Sequence, residues 1–285
     1  MRVGRIPYVN CYPVYGAIDR GIVPLAADLI DGVPTALNAQ MEAGALDLSV
    51  VSAVEYARNA RRYLLLPDLA ISCDGAVRSV ALFSKRPAQE LDGRRVIVSR
   101  SSMTSVALLE LLFEDVWHAR PQLVRGDAEP ADLGRLAVEP HDARLVIGDA
   151  ALLLGAMRNA RLSQESGPTK PYPYVYDLGS AWKDWTDLPF VFAVWVAQRT
   201  TPVERALEVH AALAASRDWG LRHLDVLAAQ AARATGVDVR TCSEYLSGLD
   251  YGLSYAHLAG LTEFLRRLVA TGRVPNGSLA FLPAA

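Results

Sequence analysis

The sequence predicts an α/β fold of two lobes with a cleft between them and helices at its C-terminal end. Three observations predict it. Short apolar runs rich in β-branched residues alternate with stretches whose apolar positions recur every three to four residues, the pattern of βαβ units. That alternation breaks at Lys85–Arg86–Pro87–Ala88, restarts at Arg95, and is followed by one buried run, Phe190–Ala197. From Pro202 onward the pattern is almost wholly that of helix formers. A chain that leaves one α/β lobe near residue 86 and returns near residue 190 crosses twice, and two crossings define a hinged cleft.

In the first series, Arg2–Tyr8 reads as a strand, and Asn10–Cys11–Tyr12–Pro13 as a turn. Pro13 suits the first turn of a helix that runs to Arg20 and stops at Gly21. Ala27–Ile30 is a strand, and Thr35 caps a helix through Glu42 that Gly44 ends. Leu46–Val51 is a compact apolar strand; Ser52 caps the helix Ala53–Arg61, with Glu55 as its capping-box partner. Leu64–Ile71 and Arg78–Ser84 are further strands around the turn Cys73–Asp74–Gly75, and the sheet is expected to be mostly parallel. In the second series, Arg95–Val98 is a strand that leads through Ser99–Ser105 into a helix marked by Val106, Leu109, Leu112 or Phe113, and Val116. Leu123–Arg125 is a weak strand, Ala131–Leu136 a short helical turn, Arg144–Gly148 a strand and Ala150–Met157 a helix. Arg161–Pro173 is a polar loop, Tyr174–Leu178 a strand, and Gly179–Asp187 carries two tryptophans. The tail reads as helices over Pro202–Arg222, Leu224–Thr235, Ser243–Leu249 and Tyr255–Ala270. Lobe I accordingly takes residues 1–86 and 192–285, and lobe II residues 87–191.

Composition narrows the function. The 285 residues are 51% hydrophobic and 21% charged, which is globular, and the net charge of −2 offers no bulk attraction to nucleic acid or an anionic membrane. Three distant cysteines with no CxxC argue against a disulfide framework or a zinc site and fit a reducing compartment. MRVGRIPYVN has no apolar h-region, so it does not read as a signal peptide, and no apolar run reaches membrane-spanning length; the expected location is cytoplasmic. Either a monomer or a homodimer is compatible with these features.

The stretch Val96–Leu109 holds the clearest candidate site. A strand entering a helix through Ser99, Ser101, Ser102, Met103, Thr104 and Ser105 leaves backbone N–H groups unpaired at the positive end of the helix dipole, a site for a carboxylate. Taken alone, the hydroxyls are better explained by helix capping than by a ligand site. Thr104 and the N–H of Ser105 are the preferred carboxylate donors. Gly148–Asp149–Ala150 repeats the arrangement after the strand LVIG: Gly148 permits close backbone approach, Asp149 caps or orients, and the Ala150 N–H is available. Ser52 is a third anion contact or simply a cap. Asn10 follows the first strand with an amide that both donates and accepts, although an Asn in a turn also bonds its own backbone. Ser79 lies early in its strand; strand alternation puts Arg78 on the opposite face. Asp47 and Glu55 are explained structurally, and none of the five His falls in a cleft motif. Trp182, Trp185 and Phe190 read as packing, and Cys11 as a small buried side chain.

Six segments carry a resemblance: IPYVNCYPVY (Ile6–Tyr15), LDLSVVSAVEYAR (Leu46–Arg58), LLLPDLAISCDGAVRSVALFS (Leu64–Ser84), SSMTSVALLELL (Ser101–Leu112), LVIGDAAL (Leu145–Leu152) and YDLGSAWKDWTDLPFVFAVW (Tyr176–Trp195). Together they resemble the MqnA family, the chorismate dehydratases of the futalosine route to menaquinone, strongly over residues 2–200 and weakly over the tail. The resemblance implies a type II periplasmic-binding-protein-like fold used as a cytoplasmic carbon–oxygen lyase that takes chorismate to 3-[(1-carboxyvinyl)oxy]benzoate and water, with no metal or cofactor. It implies that Asn10 and Ser79 act on the substrate, and that Ser52, Ser101–Ser105 and Gly148–Ala150 bind it. No protein base stands out, so a substrate carboxylate is the expected acceptor of the C3 proton. Two other readings are an MqnD-like 1,4-dihydroxy-6-naphthoate synthase, which shares the fold, and a non-catalytic protein that binds a small carboxylate.

Overall fold

The computed structural model describes residues 1–126, 140–162 and 172–283. It contains two five-stranded sheets built to one plan. The first has the order β2-β1-β3-β10-β4 and is formed by β1 (Arg2–Arg5), β2 (Asp28–Asp31), β3 (Leu48–Ser52), β4 (Tyr63–Cys73) and β10 (Phe190–Gln198). The second has the order β7-β6-β8-β5-β9, from β5 (Val80–Ser84), β6 (Arg95–Ser99), β7 (Gln122–Gly126), β8 (Ala143–Ile147) and β9 (Tyr174–Asp177). In each, three strands are parallel: β1 runs with β2 and β3, and β6 with β7 and β8. In each, the fourth strand is antiparallel to both its neighbours, β10 to β3 and β4, and β5 to β8 and β9.

The antiparallel member is the one departure from the expected mostly parallel sheet, and its cause is the crossing itself. β5 and β10 are the strands that have just arrived from the other sheet. The parallel strands end at the cleft; a strand arriving through the cleft must start there and run the other way. Thus Val80 opens β5 opposite Ile147, the last residue of β8, and Ala193 near the start of β10 pairs with Ser52, the last residue of β3.

The first crossing lies between Cys73 and Val80, ahead of the expected boundary at residue 86, because Val80–Ser84 pairs only within the second sheet. The break in pattern at Lys85–Pro87 marks a turn at the far end of that sheet, where the Lys85 N–H bonds Asp142 O (2.9 Å). Val3, Val50 and Trp195 bury fully in the first sheet, and Val96, Leu145 and Val98 in the second.

The helices follow the expected places: α1 (Tyr12–Asp19), α2 (Pro34–Glu42), α3 (Ala53–Arg58), α4 (Thr104–Asp115) and α5 (Gly148–Leu162), then α6 (Leu178–Thr186). α6 occupies the tryptophan-bearing stretch to which the sequence assigned no element. It is capped by Asp177, which accepts the Ser180 N–H (3.0 Å). The tail forms α7 (Val203–Arg222), α8 (Leu224–Thr235), α9 (Val239–Ser247) and α10 (Tyr255–Ala270). α9 begins four residues before the expected Ser243, because Asp238 caps it through the Thr241 N–H (2.9 Å). The helical turn expected at Ala131–Leu136 and most of the loop expected at Arg161–Pro173 lie outside the described residues; α5 extends to Leu162, past the expected end at Met157.

The tail packs on the first sheet's lobe at close range. A Cβ on Gly220 of α7 would lie 2.3 Å from Pro13 O, and one on Gly260 of α10 would meet Pro189 O head-on. The return crossing is pinned the same way: Trp182 is fully buried, donates from Nε1 to Pro189 O (3.2 Å) and stands edge-on to Phe190 and Phe264. Trp182 and Phe190 are packing residues, as expected. α10 and its following turn also reach the second lobe, where Arg273 pairs with Glu110 and Glu114 of α4, and Arg267 with Asp115.

Candidate functional site

Four strand-to-helix turns meet between the sheets: Val9–Cys11 after β1, the start of α3 after β3, Ser101–Met103 after β6, and the start of α5 after β8. The two crossing strands close the gap. The pocket between them, about 640 Å³ when the open solvent at its mouth is counted, has a wall that includes Asn10, Ser52, Ser79, Ser101, Ser102, Met103, Thr104, Ser105 and Gly148. Of the eleven residues singled out from sequence, Asp149 and Ala150 are the two that do not line it.

Asn10 sits in a single 3-10 turn, Val9–Cys11, and its Oδ1 is buried with no hydrogen-bond partner among the described residues. A buried acceptor left unpaired costs roughly 1–3 kcal/mol, so this oxygen is set for a ligand that donates. Asp149 holds the turn: its Oδ1 accepts the Val9 N–H (3.0 Å) from the other lobe. Its place is behind the wall, orienting the residue before Asn10. Cys11 is buried, and burial together with the Asp149 charge pushes its thiol far above the usual range, so it holds its proton.

Ser79 stands just before β5 and is 2% exposed. Arg78 takes no part in the strand: its φ of +60° turns the chain, and its guanidinium leaves for Glu244 of α9 (3.3 Å). Ser79 O accepts the N–H of Gly148 (2.7 Å), which ties the crossing to the start of α5. Gly148 needs its glycine: φ is +62°, and a Cβ there would lie 3.0 Å from the Tyr8 ring across the cleft. The fully buried Tyr245 hydroxyl of α9 lies close to Ser79 but without hydrogen-bond geometry, and burial raises its pKa. Tyr245 belongs to the tail, where sequence offered no signal.

The serine-rich turn divides its labour differently from expectation. Ser102 Oγ accepts the Ser105 N–H (3.2 Å), so the N–H expected to face a carboxylate is already spent on a cap. Thr104 Oγ1 accepts the Val54 N–H (3.2 Å), supplying a cap to α3 in the opposite lobe. Ser101 donates its N–H to Ser99 Oγ (3.2 Å). The N–H groups of Ser102, Met103 and Thr104 have no acceptor among the described residues, and these are the wall amides left for an anion at the start of α4.

Ser52 caps α3 through the Glu55 N–H (3.1 Å), as expected, but the capping box is only half formed. The Glu55 carboxylate turns away to the Tyr63 hydroxyl (2.9 Å) and Asn59 Nδ2 (2.8 Å), and burial raises its pKa. Sequence reasoning missed Asn38. This 2% exposed amide of α2 donates to Ser52 Oγ (3.1 Å), accepts the Ser52 N–H (3.2 Å) and meets Met103 Sδ (3.0 Å) across the cleft. A signal for it exists in the sequence: one polar residue on a face otherwise buried through Leu37 and Met41.

The pocket wall has no Asp, Glu, His, Lys or Arg among the described residues, and its polar groups are hydroxyls, an amide and backbone N–H groups. Such a wall offers an anion neutral hydrogen-bond donors. No cluster of three or more His, Cys, Asp or Glu that could hold a metal occurs among the described residues, and no described helix is long and apolar enough to cross a membrane.

A family model described as menaquinone biosynthesis matches residues 1–270. The chain belongs to this family. The chorismate dehydratase of Thermus thermophilus is 34% identical to it over 272 residues, which cover 92% of this chain and 95% of the relative. The family resemblance read from the six sequence segments is thereby shown. Among solved structures, a protein of Archaeoglobus fulgidus matches with a TM-score of 0.77 at 20% identity, covering 96% of this chain and 98% of that one. A Candida albicans protein described as having the generic periplasmic-binding-protein fold matches with a TM-score of 0.64 at 10% identity over 100% and 98% of the two chains. At such identities the two likenesses show the fold alone: this chain has the periplasmic-binding-protein architecture expected from the resemblance.

Proposed function

We propose that this chain is a chorismate dehydratase, a hydro-lyase that converts chorismate to 3-[(1-carboxyvinyl)oxy]benzoate and water, and that it works in the cytoplasm on a small-molecule substrate without a metal or redox cofactor. The observation that carries the reading is the buried, unpaired Asn10 Oδ1 in a wall of neutral hydrogen-bonding groups. Chorismate carries two carboxylates and one ring hydroxyl, at C4. A carboxylate cannot donate to Asn10 Oδ1; the C4 hydroxyl can. The Ser102, Met103 and Thr104 N–H groups suit a carboxylate.

The reaction then needs little protein chemistry. The C3–H bond breaks, its electron pair enters the ring, the C4–O bond breaks, and the hydroxide leaves as water while the ring becomes aromatic. With no carboxylate, imidazole or amine in the wall among the described residues, the carboxylate of the substrate's own enolpyruvyl arm takes the C3 proton and passes it to the departing hydroxyl, which leaves as water and restores the carboxylate. Asn10 orients the C4 hydroxyl, Ser79 donates toward the departing oxygen, and burial keeps these dipoles fixed. The test is direct: the purified protein mixed with chorismate, followed by mass spectrometry, yields an aromatic product lighter by one water. Saturating chorismate left intact overturns the reading, and turnover of a larger futalosine-derived substrate in its place moves the chain to the sister synthase.

A further inference from the structure

We propose that Asp177 is a positioning residue for Ser79, a role that rests on the cleft being the substrate site. Ser79 reaches the wall through a three-residue turn. Its own N–H donates back to Val77 O (2.7 Å), and the residue between them, Arg78, has a φ of +60°. A γ-turn centred on a left-handed, non-glycine residue is rare, and it persists only where the surroundings hold it.

What holds it is one carboxylate. Asp177 Oδ2 accepts the Arg78 N–H (2.6 Å) and Oδ1 accepts the Val77 N–H (3.0 Å). The same Oδ1 takes the Ser180 N–H at the start of α6 (3.0 Å), so the first crossing, the end of β9 and the first turn of α6 share a single anchor. The crossing lies flat against that anchor: a Cβ on Gly179 would be 2.4 Å from Gly75 O and 2.7 Å from Cys73 Sγ. On the other side the turn is hooked to the start of α5 through Ser79 O and the Gly148 N–H. The Arg78 side chain is not the fastening, because it forms only a half-exposed ion pair with Glu244.

The exchange Asp177→Asn separates positioning from capping. Asn caps a helix as well as Asp does, so a residue that only capped α6 would tolerate it. A clamp needs both oxygens as acceptors, and the amide of Asn turns an NH2 toward one of the N–H groups it must hold. The expected result is a fall of about 10- to 100-fold in kcat on chorismate, with KM moved far less, as a small misplacement of a reacting group produces. In a Ser79→Ala background the same exchange costs nothing further, because Asp177 acts through Ser79. Hydrogen exchange of the Arg78 and Gly148 amides quickens in Asp177→Asn whatever ligand the cleft takes. Losses that multiply in the double variant, or unchanged exchange at both amides, overturn the proposal. A wild-type protein that leaves chorismate untouched while those amides lose protection in the variant overturns the dehydratase reading and leaves the clamp standing.

Discussion

Replacing Thr104 by Val removes one oxygen at nearly constant shape, and the structure says what that oxygen does. Thr104 is 3% exposed, and its Oγ1 is the partner of the Val54 N–H, one of the donors that α3 cannot satisfy within itself. Thr104 begins α4 in the second lobe and Val54 lies in α3 of the first, so the bond exists only while the lobes are closed on each other. Opened, the Val54 N–H meets water; closed in the variant, it is buried without an acceptor. That penalty is about 1–3 kcal/mol, which makes closure about 5- to 150-fold less favourable. A substrate that binds the closed form then shows an apparent affinity reduced by the same factor. The expected result is a KM for chorismate raised within that range with kcat nearly unchanged; where the ligand-free protein rests open, so that its ground state does not use the bond, the free energy of urea unfolding falls by less than about 1 kcal/mol. Steady-state kinetics and urea unfolding on the same preparation give both numbers. An unchanged KM, or in a protein that rests open a loss of stability as large as the loss of affinity, refutes the assignment of Thr104 to closure.

Gly148→Ala forces a left-handed alanine and sets a methyl 3.0 Å from the Tyr8 ring; a loss of roughly 1–2 kcal/mol and a Tm lower by about 2–8 °C are expected, with a rise in KM because Tyr8 stands across the cleft. Glu55→Gln keeps an acceptor for Tyr63 and Asn59 but removes a charge that burial disfavours. Because the folded protein holds the Glu55 proton more tightly than the unfolded chain, wild-type stability falls as pH rises from the ordinary glutamate range through the raised folded pKa. The variant's advantage should therefore be absent in acid, grow through that window and level off above it, and denaturant titrations at several pH values check it. Gly260→Ala drives a methyl into Pro189 O, a backbone atom that cannot step aside, and should lower the urea midpoint by the equivalent of about 1–3 kcal/mol or more. A neutral result would show that α10 is not seated on the return crossing.

Much of the site is legible in the amino-acid sequence because its parts are local. A strand that ends in Ser, Thr, Asn or Gly before a helix announces free N–H groups whatever the tertiary fold, and four such junctions supply Asn10, Ser52, Ser101–Ser105 and Gly148. The two crossings are legible as a break and a return, but the composition change near residue 86 that suggests the first of them is an ordinary turn. A boundary between lobes is a change of strand partners, and partners are not written in a local pattern. The same limit hides the antiparallel β5 and β10, whose direction follows from where they enter the sheet.

What the sequence by itself determined are the groups whose chemistry is intrinsic: the neutral, hydroxyl-rich turns, the glycine at Gly148 and the helix formers of the tail. Only the tertiary structure decided how those groups are spent. It gave the Ser105 N–H to Ser102, the Thr104 hydroxyl to Val54 and the Asp149 carboxylate to Val9, and it left Asn10 Oδ1 with no partner among the described residues. It also brought in Asn38, Asp177 and Tyr245 from distant parts of the chain. The physical reason is that a hydrogen-bonding group has a fixed capacity, and whether a ligand can claim it depends on which neighbours the fold has placed within reach.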